Sequence, residues 1–170
     1  MKKVIVMPYD ETWKTEYEKI KEELEKELKE HIIGIEHVGS TSVEGLAAKP
    51  VIDIDIIIKD YNSFEALKAK LIEMGYTHEG DMGIKDRQAF KYSEKPHLMK
   101  HHLYVCPEYS AELKRHVAFR DYLRTHQEDR EWYGSVKLLA AKHYPEDIER
   151  YMIAKHPCVE EILSKLNYET

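Results

Sequence analysis

The sequence predicts an α+β protein, a mixed sheet flanked by helices with a helical C-terminal part. Three observations predict it. An apolar stripe at helical spacing opens the chain, apolar runs of strand length fill the middle, and after Pro107 the pattern is helical throughout.

Asp10 can cap a first helix beginning near Glu11. Trp13, Tyr17, Ile20, Leu24 and Leu28 then fall on one face, with a solvated Lys/Glu face between them. "HIIGIEHV" reads as a short strand. A Gly-Ser-Thr-Ser turn follows, then a short helical turn through Leu46, then a strand from Val51 to Ile58. Asn62 or Ser63 can cap a second helix carrying Phe64, Leu67, Leu71 and Met74, with Gly75 as its stop. "YTHEGDMG" and "RQAFKYS" read as a meander, and "HHLYVCP" as a further strand. Helices are expected over 110–125, 128–144, 145–155 and 157–166, with Pro145 and Pro157 in first-turn positions. The predicted division is a sheet part over 1–107 and a helical part over 108–170 packed on it, with one continuous domain as the alternative, since no linker separates them.

The bulk properties narrow the function. With 170 residues, 42% hydrophobic and 34% charged, the chain can bury a core without disulfide or metal staples. A net charge of −6 with no Lys/Arg block argues against a nucleic-acid partner, which needs a basic face. Cys106 and Cys158 form neither a zinc-type pair nor a disulfide ladder, so a cytoplasmic location is expected. The N-terminal apolar run is too short for a signal peptide, and nothing approaches the ~18 apolar residues of a membrane span.

The chemistry concentrates in "HVGSTSVEGLAAKPVIDIDIII". Strand alternation puts Asp53 and Asp55 on one face, with Ile52, Ile54 and Ile56 on the other. Their β-carbons lie about 6–7 Å apart, so at an effective dielectric near 20 the charges repel by roughly 2–3 kcal/mol. A divalent cation relieves that repulsion, and Mg²⁺ prefers such oxygens while keeping sites open for phosphate. The alternative is an exposed strand end with two solubility residues. Gly39 and Ser40 can aim free N–H groups and a hydroxyl at an anion, or simply make a good strand-to-helix turn.

The order strand, Gly-Ser, turn and Asp-x-Asp strand resembles the nucleotidyltransferase fold of the DNA polymerase β type. "VMPYDETW", "IEHVGSTSVEGLAAKPVIDIDI", "HHLYV" and "FRDYLRTHQEDREWYGSVKLLAAKH" together resemble the GrpB (UPF0157-type) family of small bacterial proteins. The resemblance implies Gly39, Ser40 and the adjoining Thr41 as phosphate contacts, and Asp53 and Asp55 as ligands for Mg²⁺ or Mn²⁺. It also implies a helical part that closes over the sheet, where Arg120 and Lys137 could hold a triphosphate. Salt bridging is the plain alternative for both cations. Lys49 could meet a phosphate or a carboxylate, or be a surface lysine at a turn.

Enzymes of the broader fold carry a third carboxylate on a later strand. Here "HHLYV" offers His102 and Tyr104 instead, so His102 is the candidate base. His101 and His102 point to opposite faces, which argues against a shared zinc ion. The expected function is metal-dependent transfer of a nucleotidyl or phosphoryl group from a nucleoside triphosphate to a small-molecule acceptor. The alternative is a non-catalytic nucleotide- or phosphate-binding module.

Overall fold

A computed structural model describes residues 2–166. Helix α1 spans Thr12–Leu28. Asp10 opens it, its carboxylate accepting from the Thr12 amide at 2.9 Å and the Thr12 hydroxyl at 2.7 Å. All five stripe residues are buried.

The sheet has five strands: β1 (Gly34–Val38), β2 (Ile52–Ile58), β3 (Tyr76–Gly80), β4 (Gln88–Tyr92) and β5 (His101–Pro107). Their spatial order is β1-β2-β5-β4-β3. Only β2 and β5 pair in parallel. Ile52, Ile54, Ile56 and Ile58 are fully buried and pack against the α1 stripe and against Phe64, Leu67 and Leu71 of α2 (Phe64–Glu73). Each such aliphatic burial stabilises by about 1.5–3 kcal/mol.

The register aligns Val38 and Glu36 of β1 with Asp53 and Asp55, and those in turn with His102 and Tyr104 of β5. One sheet face is therefore apolar and covered by α1 and α2. The other carries the polar row, facing α3 (Ala111–Thr125), α4 (Gln127–His143) and α5 (Ile148–Ser164). Val43 and Leu46 from the sheet half pack with Leu123, Tyr133, Cys158 and Ile162 from these helices, so a shared core crosses the expected boundary at residue 107. No helix of the described residues is long and apolar enough to cross a membrane.

Two local expectations are corrected. Ser63 holds the N-cap position of α2 but its side chain makes no capping hydrogen bond, and the capping bond comes one turn earlier, from Asp60. Its side chain accepts from the Asn62 amide at 2.8 Å and opens a 3-10 turn, Tyr61–Ser63, that runs into the helix. The helices expected over 145–155 and 157–166 are one helix, α5, with Pro157 inside it. Tyr151, Cys158 and Ile162 form a continuous buried stripe across the proline, so packing on both sides keeps the axis running despite the missing N–H. Pro145 lies before α5, where its carbonyl accepts from the Val4 amide at 2.8 Å, and Asp147 caps the helix.

Pro157 is exposed, so its ring contributes little packing. Replacing it with alanine restores a donor for the Ile153 carbonyl and should stabilise the fold by about 1–3 kcal/mol. Thermal denaturation of Pro157→Ala should show a raised midpoint, and a lowered one would show that the proline is required for α5 to dock.

Candidate functional site

The end of β1 runs into Gly39, whose φ is +73°. A β-carbon there would lie 2.2 Å from Asp53 Oδ2. The glycine therefore permits both the left-handed turn and the close approach of a carboxylate. The 3-10 turn Ser40–Ser42 follows, with the Ser42 amide and hydroxyl both donating to the Gly39 carbonyl. Arg124 donates twice to the Ser42 carbonyl, at 2.8 and 3.1 Å, and fixes the turn from α3. Thr41 is buried, and its hydroxyl pairs with His37 Nε2 at 2.9 Å. Burial pushes the His37 imidazole down to about 4, so it is neutral near pH 7. Ser40 faces the pocket described below, with the Tyr133 phenol as a hydrogen-bonding neighbour.

Asp53 and Asp55 share the face turned toward the helices. Asp53 Oδ1 lies 2.9 Å from His102 Nδ1. Asp55 is fully buried, with Oδ2 2.7 Å from His116 Nδ1 and Oδ1 without a hydrogen-bond partner. His116 Nε2 in turn lies 2.9 Å from Glu112. Burial acts to lower the His116 pKa, but hydrogen bonds to Asp55 and Glu112 outweigh it and raise the imidazole to about 9. The same His116 contact, with help from Arg115 and against burial, lowers Glu112 to about 2. His116 is thus an imidazolium held between two carboxylates. Burial pushes the Asp55 carboxyl upward, and the His116 contact opposes that push.

The sequence reading did not single out His116, Glu112, Tyr151 or Lys155. Glu112 and His116 sit four residues apart on α3, a spacing that puts them on one helix face. Nothing in that spacing tells which face meets the sheet.

Beside the Gly-Ser turn lies a pocket of about 290 Å³. Lys49, Lys137 and Lys155 line it, and Asp53 is the one carboxylate among its lining residues. Lys137 is only 2% exposed, and its Nζ has no hydrogen-bond partner. Its ammonium lies over the Tyr133 ring at 4.3 Å. Lys49 and Lys155 approach the Tyr151 ring at 5.5 and 5.4 Å. Burial, then the charges of Lys155 and Lys49, push Lys137 well down. Burial, then Lys49, brings Lys155 to about 8. The three crowded amines concentrate positive charge locally in a chain of net charge −6.

Arg120 does not belong to it. Its guanidinium pairs with Glu36 and Asp121 and donates to the His37 carbonyl at 3.0 Å. It is committed to tying α3 to β1, so the phosphate contact implied by the resemblance is replaced by ion pairing. His102 lines the pocket wall. His101 faces the opposite side, stacked on Tyr92 and 2.7 Å from the Tyr76 hydroxyl.

The donor set fits a hard divalent cation. Asp53 and the unpartnered Asp55 Oδ1 supply oxygen from one strand face. Among the described residues no group of three or more His, Cys, Asp or Glu side chains could hold a metal. Two carboxylates are enough for Mg²⁺, which usually completes its shell with water and substrate phosphates. In register beside the pair, β5 carries His102 and Tyr104 and no third carboxylate.

The family model described as "GrpB protein" matches residues 3–165. UPF0157 protein YqkA of Bacillus subtilis is 32% identical over 91% of this chain, which spans 44% of that relative's length. The crystal structure of the conserved protein GrpB from Enterococcus faecalis superposes with a TM-score of 0.80 at 32% identity, covering 95% of this chain and 98% of that one. A structure of Cid1 in complex with its short product ApU superposes with a TM-score of 0.54 at 11% identity, covering 76% of this chain and 41% of that one. That likeness concerns the fold, which is of the nucleotidyltransferase type. The chain belongs to the GrpB family.

Proposed function

We propose that the pocket binds a nucleoside triphosphate with Mg²⁺ or Mn²⁺, and that the protein transfers a nucleotidyl or phosphoryl group from it to a small-molecule acceptor. The observation that carries this reading is the buried, unpartnered Lys137 ammonium, facing a pocket shared with Lys49, Lys155, Ser40 and Asp53. Burial disfavours the charged form of this amine in the free protein, and a polyphosphate would supply the counter-charge that favours it.

Each residue has a part. Lys49, Lys137 and Lys155 hold phosphate oxygens and stabilise charge on the leaving phosphate. Ser40 donates its hydroxyl to a phosphate oxygen. Asp53 and Asp55 would hold the metal ion, which supplies Lewis-acid stabilisation of phosphoryl charge when bound. Asp53 accepts from His102 Nδ1, which leaves Nε2 to accept the acceptor's proton. In nucleotidyl transfer the acceptor oxygen bonds to the α-phosphorus, and the bond from that phosphorus to the bridging oxygen breaks. Pyrophosphate departs, and the proton rests on His102. Attack at the γ-phosphorus would release the nucleoside diphosphate instead.

A non-catalytic nucleotide-binding module is the second reading. The engagement of Asp55 Oδ2 by His116 favours it, because it leaves fewer free carboxylate oxygens for metal chemistry. Turnover of ATP or GTP in the presence of candidate acceptors separates the two readings, since a binder is stabilised by nucleotide without consuming it.

Lys137→Met removes the buried amine and keeps most of its volume. It should raise the melting temperature of the free protein and abolish stabilisation by Mg-ATP. For the wild type, that stabilisation should reach about 2.7 kcal/mol at a ligand concentration 100 times the dissociation constant. An equal ATP response in both proteins would remove the lysine pocket from the reading.

Nucleotide affinity should fall as pH rises above about 8, where Lys155 loses its proton in the free protein. Calorimetric titration from pH 6.5 to 9.5 should show a flat lower limb and a decline beyond 8. An unchanged affinity would mean that Lys155 does not touch phosphate.

The two aspartates should respond differently. Asp53→Asn should cost little stability and abolish the Mg²⁺ dependence of nucleotide binding. Asp55→Asn should destabilise by about 1–3 kcal/mol, because it removes a charged partner of buried His116. His116 has a raised folded pKa, so its contribution is full below about 6.5 and is lost as pH rises through about 9. Melting curves should therefore show the gap between wild type and Asp55→Asn narrowing over that interval. A constant gap would rule out the imidazolium as its origin.

A further inference from the structure

We propose that the acceptor is itself an anion, a phosphate-bearing small molecule with an apolar body, seated in a cleft beside the nucleotide pocket. This inference rests on the nucleotide reading above and names the second substrate.

The cleft has a volume of about 460 Å³ and lies between the N-terminal segment, the approach to β2 and the start of α5. The backbone fixes its walls. Val4 donates to the Pro145 carbonyl, and Met7 and Ala48 exchange two hydrogen bonds of 3.0 Å. Its surface is largely aliphatic, with Ile5 57% and Ile148 47% exposed on either side and Pro50 and Val51 between them. Isolated exposed aliphatics are ordinary, but here they line one concave surface.

Lysines surround that apolar surface. Lys2, Lys49 and Lys100 all line the cleft, and none of them forms a salt bridge among the described residues. Burial, then the neighbouring charges of Lys2 and Lys49, lowers the Lys100 pKa. Such a cluster repels itself and should bind a compact anion in compensation. Glu146 is the one carboxylate lining the cleft. A phosphate monoester, carrying close to two negative charges, complements several ammonium groups better than a single carboxylate does. A cationic amine would be repelled.

Lys49, Val51 and His102 line both this cleft and the nucleotide pocket. They form the partition between the two. An acceptor anchored by its phosphate at Lys2 and Lys100, with its apolar body on Ile5 and Ile148, would present its far end to that partition. The lysine cluster is compact in a chain of net charge −6, which favours a small molecule over a polynucleotide.

The test uses hexyl phosphate as probe, with hexanol and inorganic phosphate as controls, on the full chain with and without saturating Mg-ATP. Calorimetry should show hexyl phosphate binding at least about tenfold more tightly than either control, and binding still when ATP is present. The double variant Lys2→Gln/Lys100→Gln should lose about tenfold or more in hexyl phosphate affinity and keep its Mg-ATP affinity, because neither lysine lines the nucleotide pocket. Competition between hexyl phosphate and ATP, or an unchanged affinity in the double variant, would overturn the proposal. So would tighter, lysine-dependent binding of a short single-stranded oligonucleotide. If hexyl phosphate binds as expected but ATP does not bind at all, the cleft stands as an anion site and the nucleotide reading fails. If ATP binds and hexyl phosphate does not, only the acceptor assignment fails.

Discussion

The alternation of β2 is the constraint from which the rest of the molecule follows. Its even-numbered isoleucines anchor α1 and α2 on one face, and its odd-numbered aspartates turn to the other. A strand inside a sheet cannot rotate one residue without exchanging these faces, and the exchange would put four isoleucines into a polar site. The hydrophobic core therefore fixes where the carboxylates point. The same register lays His102 and Tyr104 beside them from β5 and Glu36 from β1. The positions of the polar row are thus held by positions that serve stability.

The polar face needs charge compensation, and the helices supply it unevenly. α3 brings His116 to Asp55 and Arg120 to Glu36, so two acids on the sheet have dedicated cations. α4 and α5 bring Lys137 and Lys155 with no such partners. Ion pairing at one end of the row is a scaffold. Cations without ion-pair partners at the other end carry the proposed phosphate contacts. Desolvation opposes leaving an ammonium buried and alone, and it pushes Lys137 toward its neutral form.

Much of this was legible in the sequence because it depends on local periodicity. Trp13 through Leu28 declare a buried helix face by spacing alone, and Asp53 and Asp55 declare a shared strand face the same way. The chain's likeness to its family supplied the nucleotidyltransferase-type topology, which no single element could. What stayed hidden depends on how helices dock. Lys155 in "AKHPC" looks like any solvated lysine until Tyr151 and the Lys49 turn meet it. His116 and Glu112 look like surface residues until α3 lands on Asp55. Arg120 had two readings from sequence, and the position of Glu36 on the neighbouring strand decides for the ion pair. Pro157 marks a helix end by local rule, yet the stripe from Tyr151 to Ile162 overrides it.

The arrangement of charge also bears on which ligand the site prefers. Each aspartate has one oxygen engaged by a histidine and one left over: Asp53 Oδ2 against Gly39, and Asp55 Oδ1 without a partner. Such contacts orient a carboxylate in the way outer partners orient metal ligands. The three lysines lie in the adjoining pocket. A bare metal ion would be drawn to the carboxylates and repelled by the lysines. A bare triphosphate would meet the reverse pattern. On the proposed reading, a metal–triphosphate complex, which carries both signs, would satisfy both halves at once. Metal and nucleotide should therefore strengthen each other's binding, by the same factor whichever binds first.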